Sequence, residues 1–128
     1  MNIIKTKTLY EWVKLPKYKK AKNQIEAWIN DFEVNDYGSP NEIKAKYSSA
    51  DFVGNNTVIF NIKGNDYRLI VRFRYQFSRV YIIWFGTHSE YDELTDIENL
   101  KFELLEEKLN DGEEDFNEGG TSIGLAEE

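Results

Sequence analysis

The amino-terminal half of the chain carries the spacing of hydrophobic residues that is typical of helices. Its clearest instance runs from Lys22 to about Val34, where apolar side chains recur at i, i+3, i+4 and i+7. These side chains belong to Ile25, Trp28, Ile29 and Phe32. An earlier helix is expected to open at Thr8, with Glu11 in capping-box spacing, and to end before Pro16. The pattern predicts two amino-terminal helices, preceded by a short strand at "NIIK".

A short helical turn is predicted after the second helix. The stretch "NDYGSP" combines turn-forming residues that end that helix. Ser39 can then start a new helical turn in which Pro40 takes the first position, where its missing N–H is not needed. The chain leaves this turn through "SSADFVGNN", whose Gly-Asn pair indicates a further reversal.

From Thr57 onwards the hydrophobic period changes to two, as expected of strands. "TVIFNIK" and "YRLIVRFRY" alternate on either side of a turn at "KGND". In the second of these, alternation separates the side chains into two sets: Tyr67, Leu69, Val71 and Phe73 on one face, and Arg68, Ile70, Arg72 and Arg74 on the other. The next segment, "RVYIIWF", is apolar on both faces and is predicted to be central. The predicted fold class is α+β, with two amino-terminal helices packed on a small, mainly antiparallel sheet.

Composition favours one domain in a reducing compartment. The 128 residues are 41% hydrophobic, which is enough for one core. The absence of cysteine excludes disulfides, thiolate catalysis and cysteine-ligated metals. The amino terminus lacks the apolar region of a signal peptide, and the longest apolar run, "VYIIWF", is too short for a membrane span. We therefore expect a cytoplasmic protein that does not enter membranes.

The charge of the chain is divided unequally. Residues 96–128 carry twelve acidic and two basic side chains, a net charge of −10, whereas residues 1–95 have a net charge of +3. A mildly basic body can accept a polyanion, and an acidic segment repels or imitates one. We predict a domain over residues 1–95 and an acidic C-terminal extension over 96–128. There, Thr95 and Glu98 have capping-box spacing ahead of a helix at about 97–109, and the remainder is expected to be disordered.

The basic face of the predicted sheet is the first candidate for binding. Arg68, Arg72 and Arg74 share one face at spacings of about 7 to 14 Å, which suits successive phosphates of a nucleic acid strand. Lys63, in the preceding turn, extends the same positive field. Aromatic residues near this face could stack on bases: Tyr75, Tyr81 and Tyr91. The alternative is that the arginines form an ordinary solvated strand face.

His88 is the only histidine and directly follows the central strand. It could cap a turn or bond a backbone carbonyl, or it could act as a catalytic acid or base. Neighbouring arginines would lower its proton affinity, and Glu90 or Asp92 would raise it. Both alternatives stay open from the residues alone.

Several classes of metal or nucleotide site are poorly supported. One histidine and no cysteine exclude ordinary structural zinc clusters, and "DGEEDFNEGG" lacks the ligand spacing of a calcium loop. The sequence has neither a phosphate-binding G-x-x-x-x-G-K-[ST] loop nor a G-x-S-x-G elbow. Nucleotide hydrolysis and serine esterase chemistry are therefore not expected.

Two motifs carry a resemblance to a known family. "FNIKGNDYRLIV" and "GTHSEYD", within the segment from Val53 to Leu94, resemble the HigB toxins, a branch of the RelE-like superfamily of type II toxin-antitoxin systems. Upstream, "TLYEWVKLP", the helix bearing Trp28 and "SPNEIKAKYSSADFV" have counterparts in the same order. The resemblance covers about residues 1–95.

The resemblance implies a small RelE-like fold and an endoribonuclease that cuts messenger RNA, typically on the translating ribosome. Such toxins use no metal or cofactor and drive the RNA's own 2′-hydroxyl onto the adjacent phosphate. On this reading the catalytic residues are His88, Arg68, Lys63 and Tyr91, and the RNA-binding residues are Arg72 and Arg74. The alternative is a non-enzymatic module on the same scaffold that binds RNA, the ribosome or another protein.

The resemblance also implies a cognate antitoxin, commonly with a helix-turn-helix DNA-binding domain, whose complex with the toxin binds operator DNA. Family members generally end soon after the segment matching "EYDEL", whereas this chain continues. The acidic extension is either a solvating appendage or a segment that folds onto the basic body and competes with RNA for the arginines.

Overall fold

The computed structural model describes residues 1–100 as an α+β arrangement of five strands and several helices. The strands are β1 (Asn2–Ile4), β2 (Asp51–Val53), β3 (Thr57–Ile62), β4 (Tyr67–Arg74) and β5 (Arg79–Thr87). The helices are α1 (Thr6–Trp12), α2 (Lys22–Val34), α3 (Pro40–Lys46) and α4 (His88–Asp92). Short 3₁₀ turns occur at Lys19–Ala21, Tyr75–Phe77 and Ile97–Asn99. No helix within residues 1–100 is both long and apolar enough to cross a membrane.

The strands form one mixed sheet in the order β1-β5-β4-β3-β2. The β1–β5 pair is parallel, and the other three pairs are antiparallel. The prediction that "RVYIIWF" is central is confirmed, because β5 lies between β1 and β4. The predicted strand at "NIIK" is also confirmed as β1. The edge strand β2 lies in a stretch read as a turn, and its three exposed residues are too few to show a period of two.

Helix α2 forms as its apolar spacing predicts. Its four apolar residues at helical spacing are all buried: Ile25, Trp28, Ile29 and Phe32. Phe32 stacks on Trp28 with ring centroids 4.5 Å apart, and its ring lies 5.7 Å from that of Phe60 on β3. These contacts join α2 to one face of the sheet and build most of the core from aromatic and branched side chains.

The predicted start of α1 was wrong. The helix begins at Thr6, preceded by Lys5 in the left-handed conformation at φ 80°, and the chain turns sharply there because Ile4 still pairs with β5. Thr8 is therefore a buried residue inside the helix, not its cap, and it does not form a capping box with Glu11.

Helix α3 follows the predicted cap. The hydroxyl oxygen of Ser39 accepts a hydrogen bond from the backbone N–H of Glu42, and Pro40 takes the first helical position. Three helices thus precede β2, so the prediction of two amino-terminal helices was incomplete.

A carboxylate joins α3 to α2. Asp31 accepts hydrogen bonds from the hydroxyls of Tyr37 and Tyr47 and from the Lys46 ammonium at 2.7 Å. Burial opposes ionisation, but these bonds outweigh it, and the pKa of Asp31 lies below its ordinary value. The hydroxyl of Tyr47 shows the converse, since burial and the bond to Asp31 raise its pKa strongly.

The two faces of β4 differ as the alternation predicts. The helix-facing set of apolar side chains is buried, and the pairing register places Arg68, Ile70 and Arg72 together on the other face. We call this second side of the sheet the arginine face. It is not an open cationic surface, because the chain after α4 lies across it. Tyr91 of α4 and three residues of that segment pack against the core: Leu94, Ile97 and Leu100.

The predicted helix of the extension is not borne out where the structure describes it. Ile97–Asn99 forms a single 3₁₀ turn, Asp96 before it has φ 53°, and Leu100 is extended. The capping box of Thr95 and Glu98 is therefore absent. The rest of the predicted helix and the predicted disordered remainder lie outside residues 1–100. The domain boundary at residue 95 stays a prediction.

Candidate functional site

The candidate site lies at the end of the sheet where the β3–β4 turn meets the end of β5. The turn reverses through Lys63 and Gly64, at φ 55° and 65°. Tyr67 at the start of β4 pairs with Thr87 at the end of β5, so the two connections lie side by side. The backbone N–H of His88 donates a 2.9 Å hydrogen bond to the carbonyl of Asp66 in the turn. This bond joins the two sequence motifs directly.

A capping box fixes the helix that begins at His88. The hydroxyl of Thr87 accepts from the backbone N–H of Glu90 at 3.1 Å, and the Glu90 carboxylate accepts from the N–H of Thr87 at 2.9 Å. No separate turn lies between strand and helix, since Gly86 and Thr87 still belong to β5 and α4 begins immediately afterwards.

Glu90 also connects α4 to the amino-terminal part of the chain. Its carboxylate accepts hydrogen bonds from the hydroxyl of Tyr18 at 2.9 and 3.0 Å and lies 2.7 Å from the ammonium of Lys17. Tyr18 is only 2% exposed. A carboxylate with this many partners is a structural anchor, so Glu90 is a poor candidate for a catalytic acid or base beside His88.

His88 projects from the first position of α4 and is accessible. Its side chain is 47% exposed, and Nδ1 lies 3.8 Å from the Asp92 carboxylate one helical turn later. That carboxylate can orient the ring. The imidazole is thus the accessible titratable group of the "GTHSEYD" motif, next to the β3–β4 turn.

Lys63 lies at the same end of the sheet. Its side chain is 41% exposed, and its ammonium is 3.7 Å from the Asp66 carboxylate. Asp66 therefore contacts both candidates, through its side chain to Lys63 and through its carbonyl to the backbone of His88.

Arg68 lies behind this surface rather than on it. It is 8% exposed, and its guanidinium donates to the carbonyls of Asn65 and Tyr67 and to the Asn65 side chain at 3.1 to 3.2 Å. Its central carbon lies 5.6 Å from the centroid of the Tyr91 ring. Two nitrogens of the Arg68 guanidinium are hydrogen-bonded to Asn65 in the turn that carries Lys63. Arg68 therefore acts on the site through its charge, from a buried position.

Tyr91 covers Arg68 and closes the arginine face. Its ring lies 6.4 Å from that of Trp84. Burial raises the pKa of Tyr91, and the nearby carboxylate of Asp51 adds to the shift. Its phenol is therefore protonated at neutral pH and can donate, but not accept, a proton in catalysis.

The structure does not bring Arg72 and Arg74 to this end of the sheet. Arg72 donates to the Thr57 hydroxyl at 2.9 Å and to the carbonyls of Leu100 and Glu98 at 2.9 and 2.8 Å. Burial lowers the pKa of Arg72, which stays charged. Arg74 is exposed at the far end of β4. Of the two, Arg74 is accessible to a ligand and Arg72 holds the segment that covers the sheet.

Three contributors to the site were missed from the sequence. Asn65 holds Arg68, Asp66 links Lys63 to His88, and Tyr18 anchors Glu90. The T-x-x-E spacing at Thr87 and Glu90 is a legible capping-box signal that could have revealed where α4 starts. Within residues 1–100 no group of three or more His, Cys, Asp or Glu side chains is arranged to hold a metal ion.

Comparison with known proteins identifies the family. The sequence model described as "HigB_toxin, RelE-like toxic component of a toxin-antitoxin system" matches residues 21–94, more than half of the chain. No curated protein matches the chain. The matched region contains α2, the strands β2 to β5 and α4, and hence Lys63, Arg68, His88 and Tyr91. The chain belongs to the HigB toxin family, whose members are the RelE-like toxic components of toxin-antitoxin systems.

Proposed function

We propose that this toxin is an endoribonuclease that cleaves messenger RNA, acting on the translating ribosome in the cytoplasm without a metal or cofactor. Membership of a RelE-like toxin family supports a ribonuclease in general terms. The observation that carries the proposal is that two exposed groups, the imidazole of His88 and the ammonium of Lys63, lie at the same end of the sheet as the buried Arg68.

The proposed reaction is an internal transfer within the RNA. The 2′-hydroxyl loses its proton, the O2′–P bond forms, and the P–O5′ bond breaks as the 5′-oxygen takes up a proton. The products are a 2′,3′-cyclic phosphate and a 5′-hydroxyl. The step needs a base, a proton donor and cations for the charge that builds on the phosphorane.

His88 supplies one of the two proton transfers. Its exposed ring can reach a bound strand, and the Asp92 carboxylate, 3.8 Å from Nδ1, can hold the ring in position. The residue works as the base if it begins neutral and as the acid if it begins protonated. With a single histidine, the second proton carrier has to be another group: Lys63, the protonated phenol of Tyr91, or a group on the ribosome.

Lys63 and Arg68 stabilise the developing charge by different routes. The Lys63 ammonium is exposed and can contact a phosphate oxygen directly. Arg68 contributes the electrostatic field of its positive charge from behind the turn. It can contact the phosphate directly only if the side chain of Asn65 or Tyr91 moves away from it. In this account Tyr91 positions Arg68 and offers a surface on which a base can stack.

The RNA backbone is bound farther along the sheet in this proposal. Arg74 is exposed and available for a phosphate. Arg72 is occupied by the carbonyls of Glu98 and Leu100, so it can bind a phosphate only after that segment moves.

An antitoxin partner follows from the family, whose members are one half of a toxin-antitoxin pair. We propose that this antitoxin carries a helix-turn-helix domain and that the complex binds operator DNA through it. Sequestration of the toxin and repression of the shared operon would then depend on the same complex.

One observation favours a second candidate, a non-enzymatic RNA- or ribosome-binding module. The strongest cation of the site, Arg68, is buried and already hydrogen-bonded. The two proposals separate when the purified protein is added to translating ribosomes and the ends of the messenger RNA are mapped. Discrete cuts with 5′-hydroxyl ends support the nuclease, whereas stalled translation on intact messenger RNA supports the binding module.

A further inference from the structure

Four lysines lie in the connection between α1 and α2, and a fifth begins α2, next to the candidate site. Residues 14–22, here called the lysine loop, contain no acidic residue. All five lysine side chains are exposed: Lys14, Lys17, Lys19, Lys20 and Lys22. Neither the predicted nuclease chemistry nor the arginine face accounts for this concentration of charge.

The lysine loop is fixed in place by its apolar residues. Tyr18 is 2% exposed and Ala21 is fully buried, so the loop presents its lysines from a packed backbone. The carbonyl of Lys17 accepts a 3.5 Å hydrogen bond from the hydroxyl of Tyr67, the first residue of β4. A rigid backbone lowers the entropy lost when flexible side chains bind a ligand.

The same loop is joined to the helix that carries His88. The Tyr18 hydroxyl and the Lys17 ammonium both contact the carboxylate of Glu90, which lies two residues after His88 on α4. The loop and the candidate site therefore share one anchor, and Lys17 and Tyr18 hold the lysine loop against α4.

Two of these lysines have no counter-ion within residues 1–100. Lys14 lies 3.5 Å from Glu11 and Lys22 lies 2.9 Å from Glu26. By contrast, Lys19 and Lys20 form no ion pair with any residue of the described part of the chain. Lys19 and Lys20 are consecutive exposed residues, so an anion with closely spaced charges can contact both ammonium groups.

We propose that the lysine loop binds the sugar-phosphate backbone of the RNA strand as it passes the candidate site, with Lys19 and Lys20 as its main contacts. Lysine is a flexible point charge, so it suits sequence-independent contact with phosphates rather than recognition of a base. This inference rests on the proposed function for the position of the strand, but not for the charge of the loop.

The test measures RNA binding and cleavage separately. RNA affinity is measured by fluorescence anisotropy at several salt concentrations. The probe is a single-stranded RNA with 2′-O-methyl groups, which cannot undergo the internal transfer. The variant is Lys19→Gln with Lys20→Gln. The control is Lys7→Gln with Arg79→Gln, which removes the same charge from exposed positions outside the loop; Arg79 lies at the opposite end of β5 from Thr87.

The lysine-loop variant is expected to bind about 10-fold more weakly than wild type. The slope of log affinity against log salt should also fall in magnitude by about 1.4, the value for two phosphate contacts with a single strand. The control should keep most of the wild-type slope. Equal losses in the two double variants, or wild-type affinity and slope in the loop variant, would overturn the inference.

Cleavage of the unmodified RNA distinguishes this inference from the proposed function. If wild type cuts RNA but the loop variant binds RNA as tightly as wild type does, the lysine loop does not contact RNA, and the nuclease proposal is unaffected. If wild type binds RNA through the loop but never cuts it, the nuclease proposal fails and the loop remains an RNA-binding surface.

Discussion

The hydroxyl of Tyr18 donates a 2.9 Å hydrogen bond to the carboxylate of Glu90, across 72 residues of sequence. That carboxylate also caps the helix beginning at His88. A buried tyrosine of the α1–α2 connection therefore helps to set the position of the candidate catalytic histidine.

Replacing Tyr18 by phenylalanine should destabilise the fold and loosen α4. The change removes a hydrogen bond to a charged group, which contributes about 1.5 to 3 kcal/mol, while the ring still fills its buried position. Urea unfolding measures the loss. Tyr10→Phe is the matched control, because the Tyr10 hydroxyl has no hydrogen-bond partner within residues 1–100. Equal effects of the two changes would show that the bond to Glu90 contributes nothing.

A methyl group at Gly86 should disturb the same region. An added Cβ would lie 2.4 Å from the Trp84 ring and 2.7 Å from the Glu90 carboxylate, so both side chains have to move. We expect a destabilisation of about 1 to 3 kcal/mol for Gly86→Ala, measured by thermal or urea unfolding. Gly38→Ala is the control, since its nearest contact would be 3.6 Å away. A fully stable Gly86→Ala protein would contradict the packing described around β5.

Arg72→Gln should release the segment that covers the arginine face. The change removes the guanidinium that donates to the carbonyls of Glu98 and Leu100. The amide hydrogens of Asn99 and Leu100, which are bonded within the 3₁₀ turn, should then exchange faster in deuterated solvent. Arg74→Gln provides the comparison, because Arg74 is exposed on the same strand. If exchange at these two amides is the same in both variants, Arg72 does not hold the segment.

Stability should decline in acid partly through Asp31. Its folded-state pKa lies below the value of about 3.9 expected in the unfolded chain, so its contribution is complete above that value. The contribution is lost as the pH falls through the folded-state pKa. Asp31→Asn should therefore lower stability at neutral pH by about 1 to 3 kcal/mol and flatten the acid limb of the stability curve. Glu33→Gln, an exposed change on the same helix, should leave that limb unchanged; a flattened limb in this variant as well would remove Asp31 as the cause.

The regular elements were predictable because their periodicity is local. Four apolar residues in α2 and the alternation of β4 were sufficient to place the helix, the strand and the arginine-bearing side. The edge strand β2 gave no such signal in three residues. The pairing register of β5 could not be predicted from the sequence either, because the strand contains a bulge. The bulge leaves Ile83 without a pairing partner and places Trp84 opposite Ile70 on the arginine face.

The site could be predicted only in part, because a local sequence pattern does not show which distant segments contact it. The motifs "FNIKGNDYRLIV" and "GTHSEYD" pointed to Lys63 and His88, and the structure places them at one end of the sheet. The burial of Arg68 depends on Asn65 and on Tyr91, and the second of these reaches it only through the tertiary fold. A strand pattern shows which way an arginine points, but not which distant segment covers it.

The most direct test of the account is the rate at which His88→Ala cleaves messenger RNA on translating ribosomes. His88 is exposed, so the variant should fold like wild type, which a thermal melt verifies. Wild type is expected to produce discrete cuts with 5′-hydroxyl ends, and His88→Ala to make the same cuts about 100- to 10,000-fold more slowly. Cleavage by His88→Ala at the wild-type rate would contradict the assignment of His88, and intact messenger RNA with wild type would contradict the proposed nuclease.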